Sequence, residues 1–370
     1  MRTANVLLCV LAVAFAAASA QADLIGYWNF DNTADHYEET SGWVQSAAGG
    51  SHPAGYLDAE DVPIGGNVTV LPTFGNTNPM IGYYVDMTGA GNEALRIKNS
   101  NTGSSATGGG ALTLGDGSRH QPNQGTMACW VYGWPGNDGG SFMGKEGRAG
   151  NHGHSLERYD ADEANFDWSD KAAVNGDGNL GDNAWHHLVG VADAGAANTL
   201  YLYVDGQLAD TVTGVQYKWG DDPEYFGIGG IHWDANWQDF SNVKIDDVGV
   251  WNTPVSHKEV AAIHAMGLFE GIGLNDQGVD DLIAAFDATG STTINGHTWA
   301  YTDLSALSTT LGATGGAAGV DAWVVLDGNG SGMQITPGPE GEIPEPASAF
   351  LLALALGGVG VYGRRRRARA

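Results

Sequence analysis

A chain of 370 residues with 57 glycines, 12 tryptophans and 16% charged side chains has room for one large domain with appendages and the composition of a turn-rich all-β protein. Its formal net charge is −27, and six of its 16 basic residues (Arg2, Arg364, Arg365, Arg366, Arg367 and Arg369) lie at the two ends, which leaves 10 against all 43 acids in between. Such a surface repels phosphate backbones and excludes nucleic acid as a partner, while it fits solubility outside the cell or the binding of cations.

Residues 1–22 read as a secretory signal, with Arg2 as the basic start, Val6–Ala17 as the apolar stretch and small residues at 18–22 for cleavage. Cys9 falls inside it. The exported chain then holds one thiol, Cys129, and no internal disulfide. Cys129 alternates with Met127 and Val131, which predicts a buried, inert thiol on a strand.

Strands are predicted at Asp23–Phe30, Val68–Leu71, Met80–Val85, Ala94–Ile97, Ala111–Leu114, Gly125–Gly133, Gly139–Lys145 and Gly153–Tyr159. The clearest pattern runs from Trp185 to Gly214. Trp185–Ala192 is one strand, and Thr199–Val204 places Leu200, Leu202 and Val204 on one face with Tyr201 and Tyr203 on the other. Asp205-Gly206 supplies the positive φ angles of a two-residue hairpin turn, and Gln207–Thr213 returns. Lys244–Trp251 is the closing strand. Ser256 and Glu259 form a capping box that opens a helix with Val260, Ile263 and Met266 on its apolar face.

Residues 268–335 read as a small α+β appendage, with a helical pattern (Val279, Leu282, Ile283, Phe286) before strands at Thr292–Thr302 and Ala322–Leu326. A Pro/Gly/Glu linker follows and ends in Pro344-Glu345-Pro346, giving a 336–346 segment. Residues 347–370 hold an apolar run, Ala347–Gly363, at the short end of what spans a bilayer, closed by the arginines. Arginines after the span keep the C-terminus in the cytoplasm and the rest outside.

Several of these motifs carry a resemblance. YWNFD at 27–31, GTMACWVY at 125–132, WHHLVGV at 185–191, LYLYVDG at 200–206 and KIDDVGVWN at 244–252 together resemble the laminin-G-like (LamG) domains of the concanavalin A-like superfold. The resemblance covers residues 23–267 and implies an all-β jelly-roll sandwich. That superfold hosts lectins, adhesion modules and glycosidases, so it does not choose among them. The triad Pro344-Glu345-Pro346, the short span and the basic end resemble the PEP-CTERM sorting signal of bacterial surface proteins. This implies that an exosortase is a partner and that the membrane anchor is transient.

Four constellations bear on chemistry. A retaining glycosidase needs two carboxylates about 5–5.5 Å apart, and the E-x-D-x-x-E string of laminarinase-like enzymes is absent; Glu157–Glu163 (ERYDADE) comes nearest but lacks the alternation of a buried strand. His186 and His187 are strand neighbours that point to opposite faces, so they cannot chelate one ion. In relatives of this fold a structural calcium ties the first strand to the last, and the resemblance puts Asp31 and Asp246 at such a site, with Asp247 on the opposite face. Trp233, Asp234, Asn236 and Trp237 combine stacking rings with hydroxyl-binding groups, as a saccharide site requires, although tryptophan also serves as a core residue.

The reading is an exported, non-enzymatic surface or matrix protein, first anchored in the inner membrane, whose LamG-like domain binds an extracellular polysaccharide or a surface protein. The rival readings are a glycosidase of the same fold and a purely structural matrix protein. If the tail is a sorting signal, mass spectrometry of surface-extracted protein will find a C-terminus near Pro344–Ala347; chains ending at Ala370 in that fraction would exclude processing.

Overall fold

The computed structural model describes most residues from 24 to 264, with breaks such as 38–45, 99–123 and 217–224, and the backbone of four strands between 291 and 335. The strands in chain order begin with β1 (Leu24–Trp28), β2 (Ser46–Ala47), β3 (Gly50–Ser51), β4 (Ala59–Asp61), β5 (Thr73–Asn78), β6 (Gly82–Asp86) and β7 (Leu95–Ile97). The middle of the chain supplies β8 (Gly125–Tyr132), β9 (Gly140–Lys145), β10 (His154–Asp160), β11 (Glu163–Trp168), β12 (Lys171–Val174), β13 (Trp185–Asp193), β14 (Thr199–Val204) and β15 (Gln207–Val212). After these come β16 (Gly227–Ile228), β17 (Ile231–Trp233), β18 (Asn236–Gln238) and β19 (Lys244–Trp251). The last four, β20 (Ser291–Ile294), β21 (His297–Asp303), β22 (Asp321–Leu326) and β23 (Gly332–Ile335), form an antiparallel sheet of their own in chain order.

Two sheets make a sandwich. One runs β15-β14-β13-β8-β19-β6-β5 with β1 added beside β19; the other runs β12-β11-β10-β9-β16-β7-β4. Alternation decides what goes between them. Met127, Cys129, Val131, Leu188, Leu202 and Ile245 of the first sheet meet Leu95, Phe142, Leu156, Phe166, Trp168 and Ile228 of the second in one apolar cluster. Burial of this kind contributes about 25 cal/mol per Å² of apolar surface and is the main stabilising term in a domain without disulfides. The two sheets approach closely at Gly190, where a Cβ would come within 2.1 Å of the Phe166 ring. Cys129 is buried in this core, and burial pushes its thiol well above the usual range, as an inert side chain requires.

The central hairpin forms as its residues dictate. Asp205 and Gly206 have φ of 51° and 74°, and β14 pairs with both β13 and β15. The turn also grips its neighbour: Asp205 Oδ1 accepts the His187 N–H at 2.8 Å, and Oδ2 lies 2.8 Å from His186 Nδ1. The capping box is reciprocal, with the Ser256 N–H donating to the Glu259 carboxylate and the Glu259 N–H donating to Ser256 Oγ at 3.2 Å. Helical residues 259, 260, 263 and 264 follow, with Val260 and Ile263 buried.

Some expectations shift. Of the strand expected at Val68–Leu71, Val68 and Thr69 lie outside the described residues; Val70 and Leu71, 38% and 40% exposed, stand before Pro72, which has no N–H for a ladder, and β5 starts at Thr73. Two further strands, β11 and β12, follow the acids of 157–163, with Ala164, Phe166 and Trp168 alternating into the core along β11. Thr292–Thr302 is a hairpin rather than one strand, with Asn295-Gly296 between β20 and β21. The expected strand at Ala111–Leu114, the helix of 271–288, the signal segment and the C-terminal span lie outside the described residues.

Three buried histidines make the sandwich acid-sensitive. His154 packs against Trp168, and His187 and His264 stack on Trp130 at 5.0 and 5.1 Å. Burial lowers His154 to about 3 and His264 to about 4, and holds His187 well below its ordinary value. The folded state therefore keeps neutral rings that the unfolded chain protonates below about pH 6.5, so stability present at neutral pH is lost as pH falls from there, by about 1.4 kcal/mol per pH unit for each histidine. Denaturant unfolding at a series of pH values should show a shallower acid loss for His154→Leu than for the wild type. Parallel curves would remove His154 from the account.

Candidate functional site

The same alternation that fills the core turns a row of side chains outward at one end of the larger sheet. Val131, Leu188, Ile245 and Val85 point in, so Tyr132, Trp185, Lys244 and Tyr84 point out. The register aligns them: Trp185 of β13 pairs with Tyr132 of β8, Tyr132 with Lys244 of β19, and Lys244 with Asp86 of β6. Trp185 lies between two tyrosines, 5.6 Å from the Tyr84 ring and 5.5 Å from Tyr132. Lys244 Nζ stands over both, 4.7 Å from the Tyr84 ring centre and 5.3 Å from Tyr132, and donates to the Tyr84 hydroxyl at 3.2 Å. Trp185, Tyr132, Lys244 and Asp86 are half-buried, whereas Tyr84 is closed off.

The next row inward anchors this one. His187 pairs with Trp130, Trp130 with Asp246, and His264 covers Trp130 from the helical turn. Side chains standing on four adjacent strands above a buried row have little freedom to lose on binding. Chemically the row offers flat apolar faces, a cation and a carboxylate beside each other. Sequence patterning held the signal, since Trp185, Tyr132 and Lys244 are the outward positions at the ends of three strands legible by their alternation. What it lacked was the pairing that brings the three together.

Residues 106–261 match the concanavalin A-like lectin/glucanases superfamily. The chain carries a concanavalin A-like domain. Residues 342–367 match the PEP-CTERM protein-sorting motif, which indicates an exported protein with a C-terminal membrane-associated sorting segment and implies processing by an exosortase. No curated protein matches the chain. Among solved structures, domain 4 of an extracellular arabinanase from Geobacillus stearothermophilus, in complex with arabinotriose, is 16% identical with a TM-score of 0.42, over 65% of this chain and 97% of that one. The CBM40 domain of the Ruminococcus gnavus IT-sialidase is 16% identical with a TM-score of 0.35, over 42% of this chain and 91% of that one. A botulinum neurotoxin type C structure is 10% identical with a TM-score of 0.43, over 86% of this chain and 74% of that one.

The concanavalin A-like domain distributes the expected ligand residues differently from the sequence reading. Asn236 is exposed at the start of β18, while Asp234 and the Trp233 side chain lie outside the described residues. Trp237, expected as a stacking platform, packs inward. It is 8% exposed and closes a small cluster with Val62 and Ala94, flanked by Tyr225 and Phe240. A Cβ on Gly227 would come within 2.8 Å of its ring, so the backbone itself is shaped around the indole. The reason is register: β17 and β18 pair with each other as a short hairpin, and Trp237 falls on the face turned inward.

The expected calcium ligands fare unevenly. Asp31 and its neighbours to 34 lie outside the described residues. Asp246 is fully buried, and its Oδ1 accepts the Asp247 N–H at 2.8 Å. Asp247 has φ of 49° within a bulge, where strict alternation no longer applies, and the Tyr27 hydroxyl donates to its carboxylate. Direct pairing of β1 with β19 therefore joins the first and last strands of the sandwich. Among the described residues no three His, Cys, Asp or Glu side chains are grouped so as to hold a metal ion.

Trp237→Ala should cost about 3–5 kcal/mol of stability, the range for emptying a buried aromatic site, read as a fall in denaturant midpoint. A variant that melts like the wild type would return Trp237 to the ligand set.

Proposed function

We propose that the chain is a non-enzymatic exported protein whose concanavalin A-like domain binds a glycan on the outer end of its larger sheet, through Trp185, Tyr132 and Lys244. The single supporting observation is the half-open aromatic row in register across β13, β8 and β19, with a lysine over its rings. Sugar rings have an apolar face that stacks on indole or phenol, and their hydroxyls bond to neighbouring polar groups such as Lys244 and Asp86. A shallow platform of this size favours weak binding, and repetition along a polysaccharide multiplies it. The sorting motif supports delivery to the envelope, where extracellular polysaccharide or surface protein is the available partner.

Glycan-array binding followed by calorimetry tests the proposal. Trp185→Ala should weaken binding tenfold or more, about 1.4 kcal/mol, in a protein that still melts cooperatively, and Lys244→Gln should weaken it less. Binding by Trp185→Ala equal to the wild type would sink this site. Capture of a surface protein with no glycan bound would favour a protein partner, and release of reducing ends from any array polysaccharide would overturn the non-enzymatic reading.

A further inference from the structure

The second sheet has an outer face of its own, and it carries a different chemistry. Leu156, Ala164 and Phe166 enter the core, so Ser155 and Glu157 of β10 and Asn165 and Asp167 of β11 turn the other way. Register sets Ser155 opposite Asp167 and Glu157 opposite Asn165. On its other side Glu157 stands opposite Ser141 of β9, and the Ser141 N–H donates to the Asp239 carbonyl at 2.7 Å. That bond, with the bridge between Ser141 and Phe240, sets the turn after β18 alongside β9, with Asp239 exposed at φ 49°.

These groups hold one another incompletely. The Ser155 hydroxyl donates to Glu157 Oε1, and the Asn165 amide also bonds the Glu157 carboxylate. Burial, with the Asp239 charge adding to it, raises the Glu157 carboxyl above the usual range, and burial raises Asp239 as well. Asn165 is 5% exposed, yet its Oδ1 has no donor among the described residues. A buried amide oxygen without a donor is costly unless something electropositive reaches it.

We propose that Glu157, Asp239, Asn165 and Ser155 bind a divalent cation of the calcium class on the outer face of the seven-stranded sheet. The donor set is oxygen only, which suits a hard cation and not zinc, whose sites favour nitrogen and sulfur. Its geometry comes from a strand pair and a turn rather than an octahedral cage, which calcium accepts and magnesium does not. A cation here relieves the repulsion between the two carboxylates, meets the Asn165 oxygen and fixes the β18–β19 turn to β10. With two acids in the set and water completing the shell through exposed Asp239, the affinity belongs at the weak end, about 10⁻⁴–10⁻³ M. The site is separate from Asp246 and from the aromatic row, both on the other sheet.

Terbium luminescence and calcium-dependent melting of the full chain test this. Calcium should raise Tm with half-effect near that concentration, and terbium emission should saturate and be displaced by calcium. Glu157→Gln and Asp239→Asn should each abolish both signals, while Asp246→Asn should keep them. Asparagine tolerates the positive φ of position 239, so Asp239→Asn remains a fair test if Glu157→Gln fails to fold. An unchanged Tm in calcium, an effect equalled by magnesium, a response that survives Asp239→Asn, or one lost in Asp246→Asn alone would each overturn the assignment.

Discussion

Strand β19 is shared along one edge between two partners, and the sandwich depends on how that sharing is managed. On one side it pairs with β8 from Lys244 to Trp251; on the other it pairs with β6 at Lys244 and Ile245 and with β1 from Val248 onward. The change of partner falls on Asp246–Gly249, where one extra residue is absorbed as a bulge and Asp247 adopts a left-handed backbone. A bulge interrupts the ladder and sharpens the local twist. Tyr27, fully buried on β1, secures it by donating to Asp247. The chain's first strand is thereby bound to its last strand within the sandwich.

From that seam the two outer faces follow. Upstream of the bulge, Lys244 keeps the parity of β8 and β13 and joins Tyr132 and Trp185 in one row. Behind it, Trp130 is sealed by His187 and His264, rings that stay neutral because burial forbids their charge. The platform is thus held by strands and a dry layer beneath, while the second sheet presents carboxylates and an amide. A surface so rich in acids places its few cations conspicuously, and Lys244 is one of them.

Much of the fold was legible because period-2 patterning and local turn chemistry are local properties. Thr199–Val204 and Lys244–Trp251 have the bounds their alternation predicted, Asp205-Gly206 makes the turn its φ preferences demand, and Ser256 with Glu259 makes the expected cap. After Pro72, which cannot donate to a ladder, β5 starts at Thr73. Ala164, Phe166 and Trp168 carry the period-2 signal of β11 directly after the acidic string 157–163.

The sites were less legible because each depends on long-range pairing. Composition alone determined an acidic, cysteine-poor chain, and short motifs determined its superfold and sorting tail. Whether Trp237 faced ligand or core was undetermined, since a tryptophan between polar residues satisfies both descriptions; only the packing of Val62, Ala94 and Gly227 against it decided. Likewise Trp185, Tyr132 and Lys244, far apart along the chain, become neighbours only through the β13-β8-β19 register. Alternation tells which residues share a face within a strand. Which strands lie side by side is set by the closure of the whole sandwich, and no local stretch of sequence contains it.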